Sequence, residues 1–276
     1  VAFGMKVLGL GDAVVDKYIN KYTMYPGGNA LNFAVFAKQL GQQASFLGVL
    51  GSDQAGSYLK KVIDKLQIDS SHARTEEGEN GYSEVKIVDN DRIFIGSNKG
   101  GVSAQNLLKL SAADDDYLKS FDLIHIGLYG QVDHLLDKLQ SLDLKVSYDF
   151  SDNFTNEKVD MLINKVAYGF FSLSGKSDEA VKSFLQQVYT SNNKVLLATR
   201  GSEAAIAYDG KRFFEKAATA IEKSVDTMAA GDAFITAFLV AYLSKQVGIE
   251  ESMVKAHEFA AEICQLNGSF GLGVKY

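Results

Sequence analysis

Short apolar runs alternate with helical patterns along most of this 276-residue chain, and that rhythm constrains its fold more than any other feature. Runs at 6–11, 44–50, 123–126, 145–149, 167–171 and 195–199 are short and apolar throughout, as strands covered on both faces must be. Between and after them, apolar spacing predicts helices over 29–40, 56–66, 132–142, 156–164, 178–191, 230–245 and 251–267, the first stopping at Gly41. Such alternation builds a mostly parallel sheet with helices on both faces. Two hairpins interrupt it. Segments 82–88 and 92–97 flank Asp89-Asn90-Asp91, and 203–208 and 212–215 flank Asp209-Gly210. No internal repeat or low-complexity linker divides the chain, so one domain over 1–276 is expected.

The chemistry concentrates in Asp226-Thr227-Met228-Ala229-Ala230-Gly231-Asp232. Small residues at 229–231 let the backbone approach a ligand closely. The helix that follows offers unpaired N–H groups and the positive end of its dipole to an anion. Asp232 stands among those donors, where a carboxylate can take a proton from an attacking hydroxyl. An anion cradle beside a base is what phosphoryl transfer needs.

Other segments compete with simpler readings. Gly9-x-Gly11 suggests a dinucleotide fingerprint, but Val14 occupies the place of its third glycine. Ser174-Gly175-Lys176-Ser177 looks like the end of a phosphate loop, but Phe170 stands where the first glycine belongs. Asp12 and Asp16 follow the first strand, at the end where open α/β sheets bind ligands; each could accept from a sugar hydroxyl or cap local N–H groups. Pro26-Gly27-Gly28-Asn29-Ala30-Leu31-Asn32 opens a helix: Asn29 and Asn32 share a face, and Asn29 could also cap it. His72, His125, His134 and His257 have no acid–base spacing, and His125 sits in a buried strand pattern.

The heptapeptide resembles the Asp-Thr-x-Gly-Ala-Gly-Asp motif of the PfkB (ribokinase-like) carbohydrate kinases, with Ala229 where that family usually has Gly. At a negative φ, Ala229 would leave the neighbouring N–H aimed at a phosphate. Gly27-Gly28-Asn29 resembles the family's sugar-site motif. Thr199-Arg200-Gly201-Ser202-Glu203-Ala204 resembles its nucleotide loop, with Ala204 in place of the last Gly. The resemblance implies a ribokinase-like three-layer α/β/α domain, with a small β lid from about 13–26 and 80–100 that pairs in a homodimer. It implies Asp232 as base and the backbone of Ala229, Ala230 and Gly231 as anion hole. The sugar falls to Asp12, Asp16, Gly27, Gly28, Asn29 and Asn32. The nucleotide falls to Thr199, Arg200, Gly201, Asp226 and Thr227. ATP and Mg²⁺ are implied, and a monovalent cation is compatible. The family's Asn-x-x-Glu metal motif lacks its Asn here; Asp178 and Glu179 are nearest, and Glu179 is assigned to the metal, although acids there equally suit the helix dipole. Segments 88–94 and 148–152 resemble the bacterial fructoselysine 6-kinases. That implies a fructosamine substrate, with Arg92 reaching its carboxylate. Fructose or another ketose is the alternative, and a non-catalytic sensor on the same fold is the rival from another class.

Composition agrees. Hydrophobic residues make up 46% of the chain, enough for a large core, and the net charge of −6 argues against nucleic acid as a partner. An acidic protein that binds polyphosphate needs local cations, which suits Mg²⁺. The single Cys264 excludes an internal disulfide and reads as packing. No apolar run has the length of a membrane span, and no leader pattern is present, so a cytoplasmic protein is expected, with Val1–Gly4 an addition before a native start at Met5.

Overall fold

The computed structural model describes residues 4–88, 91–219, 224–244 and 246–276, without the side chains of Val88, Asp91 and Arg92. The strands are β1 (Lys6–Gly11), β2 (Val14–Tyr18), β3 (Thr23–Gly27), β4 (Gln43–Gly51), β5 (Arg74–Glu76), β6 (Tyr82–Val88), β7 (Asp91–Ser97), β8 (Leu123–Gly127), β9 (Val146–Asp149), β10 (Tyr168–Ser172), β11 (Val195–Arg200), β12 (Glu203–Tyr208), β13 (Phe213–Lys216) and β14 (Val274–Lys275). The helices are α1 (Asn29–Gln39), α2 (Gln54–Lys65), α3 (Val102–Gln105), α4 (Asp115–Lys119), α5 (Leu136–Ser141), α6 (Asn156–Leu162), α7 (Asp178–Val188), α8 (Ala230–Ser244) and α9 (Ile249–Ile263).

Among the described residues a nine-stranded sheet runs in the order β13-β12-β11-β10-β9-β8-β1-β4-β5. It is parallel from β11 to β5, and β12 and β13 add an antiparallel edge. Successive side chains of a strand point to opposite faces, so both faces must be apolar. On β1, Val7 joins the core under α1, α2, α8 and α9, while Leu8 and Leu10 join the core under α5, α6 and α7. On β11, Val195 and Leu197 face one way, Leu196 and Ala198 the other. This is the three-layer α/β/α arrangement expected from the alternation.

Helix α8 lies deepest. Every residue from Ala233 to Ala241 is buried, against α1 and α9 among other elements. A helix apolar all round belongs in the middle of a core, and its fixed axis sets where Asp232 points.

A second sheet, β14-β3-β2-β6-β7, covers one end of the first. Segments 13–26 and 80–100 supply β2, β3, β6 and β7, and the chain's last residues add β14 beside β3, which the sequence did not suggest. Helix boundaries shift for local reasons. The helix expected over 132–142 opens as a 3₁₀ turn, Asp133–Leu135, before α5, and that over 156–164 closes as one, Ile163–Lys165. Helix α2 starts before residue 56 because Asp53 caps it, accepting from Gly56 N at 2.9 Å. His125 is a core residue, as expected: buried, 2.8 Å from Ser147 Oγ through Nδ1, and stacked on Phe33. Burial pushes its pKa down to about 3, which keeps it neutral. No helix among the described residues is long and apolar enough to cross a membrane.

Asp53→Ala removes the only side-chain cap recorded on α2. It is expected to cost about 1 kcal/mol, read as a lower urea midpoint with an unchanged slope.

Candidate active site

Parallel strands end on the same edge of a sheet, so the segments after β11, β10, β9, β8 and β1 lie side by side. In that order they present Gly201, the 172–176 loop, Asp149, Gly127 and Asp12. Strands are spaced about 4.8 Å apart, which separates the nucleotide-loop segment from Asp12 by roughly 19 Å.

Asp12 organises the sugar-side half. Its Oδ2 accepts from Asn29 N at 3.0 Å and its Oδ1 from Ala30 N at 3.3 Å, so it caps α1 from the neighbouring strand. The capping position itself is Gly28, at φ +103°, where an added Cβ would lie 2.8 Å from the Asp12 carbonyl oxygen. Of the two readings open for Asp12, the geometry favours the cap over a sugar ligand. It also frees Asn29 from capping: the residue is the first of α1 and its side chain turns to the acids.

Those acids are Asp149 and Asp232. Asn29 Nδ2 donates to Asp149 Oδ2 at 3.0 Å and to Asp232 Oδ1 at 2.8 Å, while Asn32 Nδ2 donates to Asp232 Oδ2 at 2.6 Å. Asp149 Oδ1 accepts from Ser151 N at 2.8 Å. Burial pushes Asp149 up to about 7, helped by the charges of Asp232, Asp12 and Asp152 and opposed by the Ser151 N–H. Burial likewise pushes Asp232 up to about 6, opposed by the Asn32 and Asn29 amides and assisted by Asp12. Burial raises Asp12 too, against its backbone donors. Among the described residues none of these three carboxylates is in an ion pair. A base whose pKa lies near working pH, held by two amides, suits proton abstraction.

Asp16 is buried on β2 of the second sheet, its Oδ2 so close to Gly27 that an added Cβ would sit 2.4 Å away. Asp226 is buried beneath the anion turn, and its carboxylate accepts from the Tyr18 hydroxyl, from Gly268 N at 3.0 Å and from Met228 N at 3.0 Å. It ties the turn to β2 and to the segment after α9, which is an anchoring role. Thr227 is exposed in the same turn. Within the first turn of α8, Ala230 N reaches Thr227 O and Ala233 N reaches Ala229 O, leaving the N–H groups of Gly231 and Asp232 at the helix's open end. Ala229 has φ +58°, not the negative value under which Ala is comfortable. A left-handed residue is what the family's glycine serves at this position.

At the other end of this edge, Thr199 and Arg200 close β11 and Gly201, exposed at φ +67°, turns the chain into β12. Arg200 is not a cation offered to phosphate. Its side chain is 5% exposed, with Nε donating to Ala204 O at 2.8 Å and Nη1 to Lys176 O at 3.2 Å and Asp178 Oδ1 at 2.6 Å. It braces the nucleotide loop against the 174–178 loop. There Ser177 caps α7, which explains the serine of the false phosphate-loop pattern. A cavity of about 570 Å³ lies between the two halves, lined by Ser151, Asp152, Phe154, Ser172, Leu173, Ser174 and Lys176. Glu179 is exposed in the first turn of α7, and no group of three or more His, Cys, Asp or Glu among the described residues could hold a metal. Mg²⁺ bound in this cleft would rest on substrate phosphates and water, with at most one or two carboxylates from the protein. Arg92's side chain lies outside the described residues.

Asp149 and Gly127 are the members that motif reading missed as site residues. The strand-end rule that singled out Asp12 applies equally to β8 and β9 and would have found both.

A doubly covered parallel sheet, with a clamped carboxylate at a helix N-terminus over its carboxyl edge, defines a phosphotransferase-type site. The chain belongs to the pfkB family of carbohydrate kinases, whose pattern it matches over residues 2–270, and it is a sugar phosphotransferase of that ATP-dependent family. Fructosamine kinase FrlD of Bacillus subtilis is 36% identical over 273 residues, 99% of this chain and 95% of that protein. Fructoselysine 6-kinase of Shigella flexneri is 30% identical over 267 residues, 96% of this chain and 100% of that one. The structure of Arabidopsis thaliana ribokinase with ribose and ATP has the same fold, with a TM-score of 0.79 at 18% identity over 98% of this chain and 95% of that one.

Ala229→Gly relieves a left-handed Ala at about 1–2 kcal/mol but loosens the unfolded chain by about 0.4–1 kcal/mol. A small net rise in melting temperature and a rate within a few-fold of the parent are expected. A rate gain of several decades would mean that Ala229 cripples the turn.

Proposed function

We propose that this kinase transfers the γ-phosphoryl of ATP to the primary hydroxyl of a fructosamine, a ketose carrying an amino-acid substituent such as fructoselysine. The observation that carries the transfer chemistry is the Asp232 carboxylate, held by Asn29 and Asn32 at the open end of α8. Asp232 takes the hydroxyl proton as the sugar oxygen bonds to the γ-phosphorus and the bond to the β–γ bridging oxygen breaks. The N–H groups of Gly231 and Asp232 stabilise the charge that builds on the transferring group. The second sheet acts as a lid that keeps water from competing as acceptor. ATP supply places such an enzyme in the cytoplasm.

Two observations support the fructosamine. The similarity to FrlD spans nearly all of both chains. The cleft also holds Asp12, Asp149 and Asp232 without a cationic partner among the described residues, an electrostatic setting that suits a substrate whose amine is protonated. Arg92, on the resemblance, meets the substrate's carboxylate. Ile93, Phe94 and Ile95 on β7 are exposed, which supports pairing of two lids in a homodimer.

Asp232→Asn is expected to keep the fold and lower kcat about 10²–10⁴-fold; near-normal turnover would remove Asp232 as the base. In the wild type, activity is expected to fall on the acid side as Asp232 takes up its proton near pH 6.

For substrate choice the measurement is kcat/KM for fructoselysine against fructose, in wild type and Arg92→Ala. A preference for fructoselysine that shrinks in the variant is expected. A wild-type preference for fructose would make the enzyme a fructokinase.

A further inference from the structure

We propose that Asp149 is a positioning residue for phosphoryl transfer: through the Asn29 amide that both acids share, it fixes the Asp232 carboxylate and sets a second negative charge beside it. The proposal rests on the reading of Asp232 as the base.

Asn29 Nδ2 carries two protons. One goes to Asp232 Oδ1 and the other to Asp149 Oδ2, so the plane of the amide is set by both acids together. Asp149 is itself fixed. It ends β9, in register with Phe170 on β10 and Gly127 on β8, and takes the Ser151 N–H on its other oxygen. Gly127 closes the third side, since an added Cβ there would meet Asn29 Oδ1 at 2.4 Å.

A second observation points into the same space. Asn29 Oδ1 and Asn32 Oδ1 are buried without a hydrogen-bond partner, and Asn32 is 3% exposed. Turning either amide over would satisfy neither oxygen, because it would aim that oxygen at a carboxylate. The two acids therefore dictate the amide orientation, at the cost of leaving two buried acceptors unsatisfied among the described residues.

Around Asp149 stand Asp232 from α8, Asp12 from the turn after β1, Asp152 from its own loop, the Ser151 N–H and the Asn29 amide. All the charged ones are acids. An ionised Asp232 therefore raises the proton affinity of Asp149, and the pair loses its protons in two linked steps.

Asp149→Asn keeps an oxygen for the Asn29 amide and removes the charge; Asp149→Ala removes both. With saturating sugar, kcat is expected to fall about 10-fold in Asp149→Asn and further in Asp149→Ala, while the KM for ATP stays within about 2-fold. The pH profile separates this role from a merely structural one. The acid limb of log kcat should fall in two stages in the wild type, as Asp149 and then Asp232 take up protons, and in a single stage at lower pH in Asp149→Asn, where the upper stage is lost. An unchanged profile overturns the proposal. Carboxyl carbon NMR reads the linkage without turnover. The Asp232 resonance, assigned by its loss in Asp232→Asn, should titrate in two steps in the wild type and one in Asp149→Asn. A one-step curve in the wild type overturns the proposal as well. Two steps in a protein that releases no ADP with any sugar would support the linkage and sink the kinase reading instead.

Discussion

The Asn29 amide has two protons and serves two carboxylates, and most of the site depends on how that is arranged. Asn29 can face the acids only because it is spared from capping its own helix. It is spared because Asp12, just after β1, takes the first N–H groups of α1. Asp12 can reach them because Gly28 lets the chain enter the helix at φ +103°. One local backbone requirement thus decides which side chain caps and which clamps the base. The same logic holds in the turn before α8, where Asp226 joins the Tyr18 hydroxyl of the second sheet to Met228 N and Gly268 N.

The sheet supplies the larger frame. A parallel order places β11, β10, β9, β8 and β1 with their carboxyl ends together, which puts a nucleotide loop and an acid cluster on one edge, about four strand spacings apart. Helix α8 then brings its N-terminus to the acid end. Burial along nearly its whole length makes its axis rigid, so the base it carries has little freedom to wander.

How legible this was depends on range along the chain. Elements with strong periodicity, such as β1, β4, α1 and α8, could be read directly, because core faces leave a repeat in the sequence. Asp232, Asn29 and Asn32 could be found because each sits in a short motif with a local mechanism. Asp149 lies 120 residues from the asparagine it bonds, and no local pattern marks that pairing. Arg200 and Asp226 were legible as special but not in role, since what occupies a guanidinium or a buried carboxylate is a tertiary fact. The left-handed φ of Ala229 was hidden for the opposite reason: Ala does not advertise that conformation as Gly does. Strand β14 is two residues long, too short to show a period.

The acid cluster has a thermodynamic sign that bears on its purpose. A carboxyl whose folded pKa is raised holds its proton where the unfolded chain would release it. For Asp149, stability is therefore greatest below the ordinary carboxylate range and declines as pH rises from there through about 7, after which the loss is constant. Asp232 adds the same trend up to about 6. Such acids oppose folding at neutral pH, and the apolar layers on either side of the sheet must offset them. A cluster built only for stability would carry an arginine or lysine among these acids, and among the described residues none pairs with them. What the arrangement gains is a base of raised proton affinity and a field that favours positive charge in the cleft. The first is useful only when a hydroxyl has to lose its proton there, which links the destabilisation of the free protein to its chemistry.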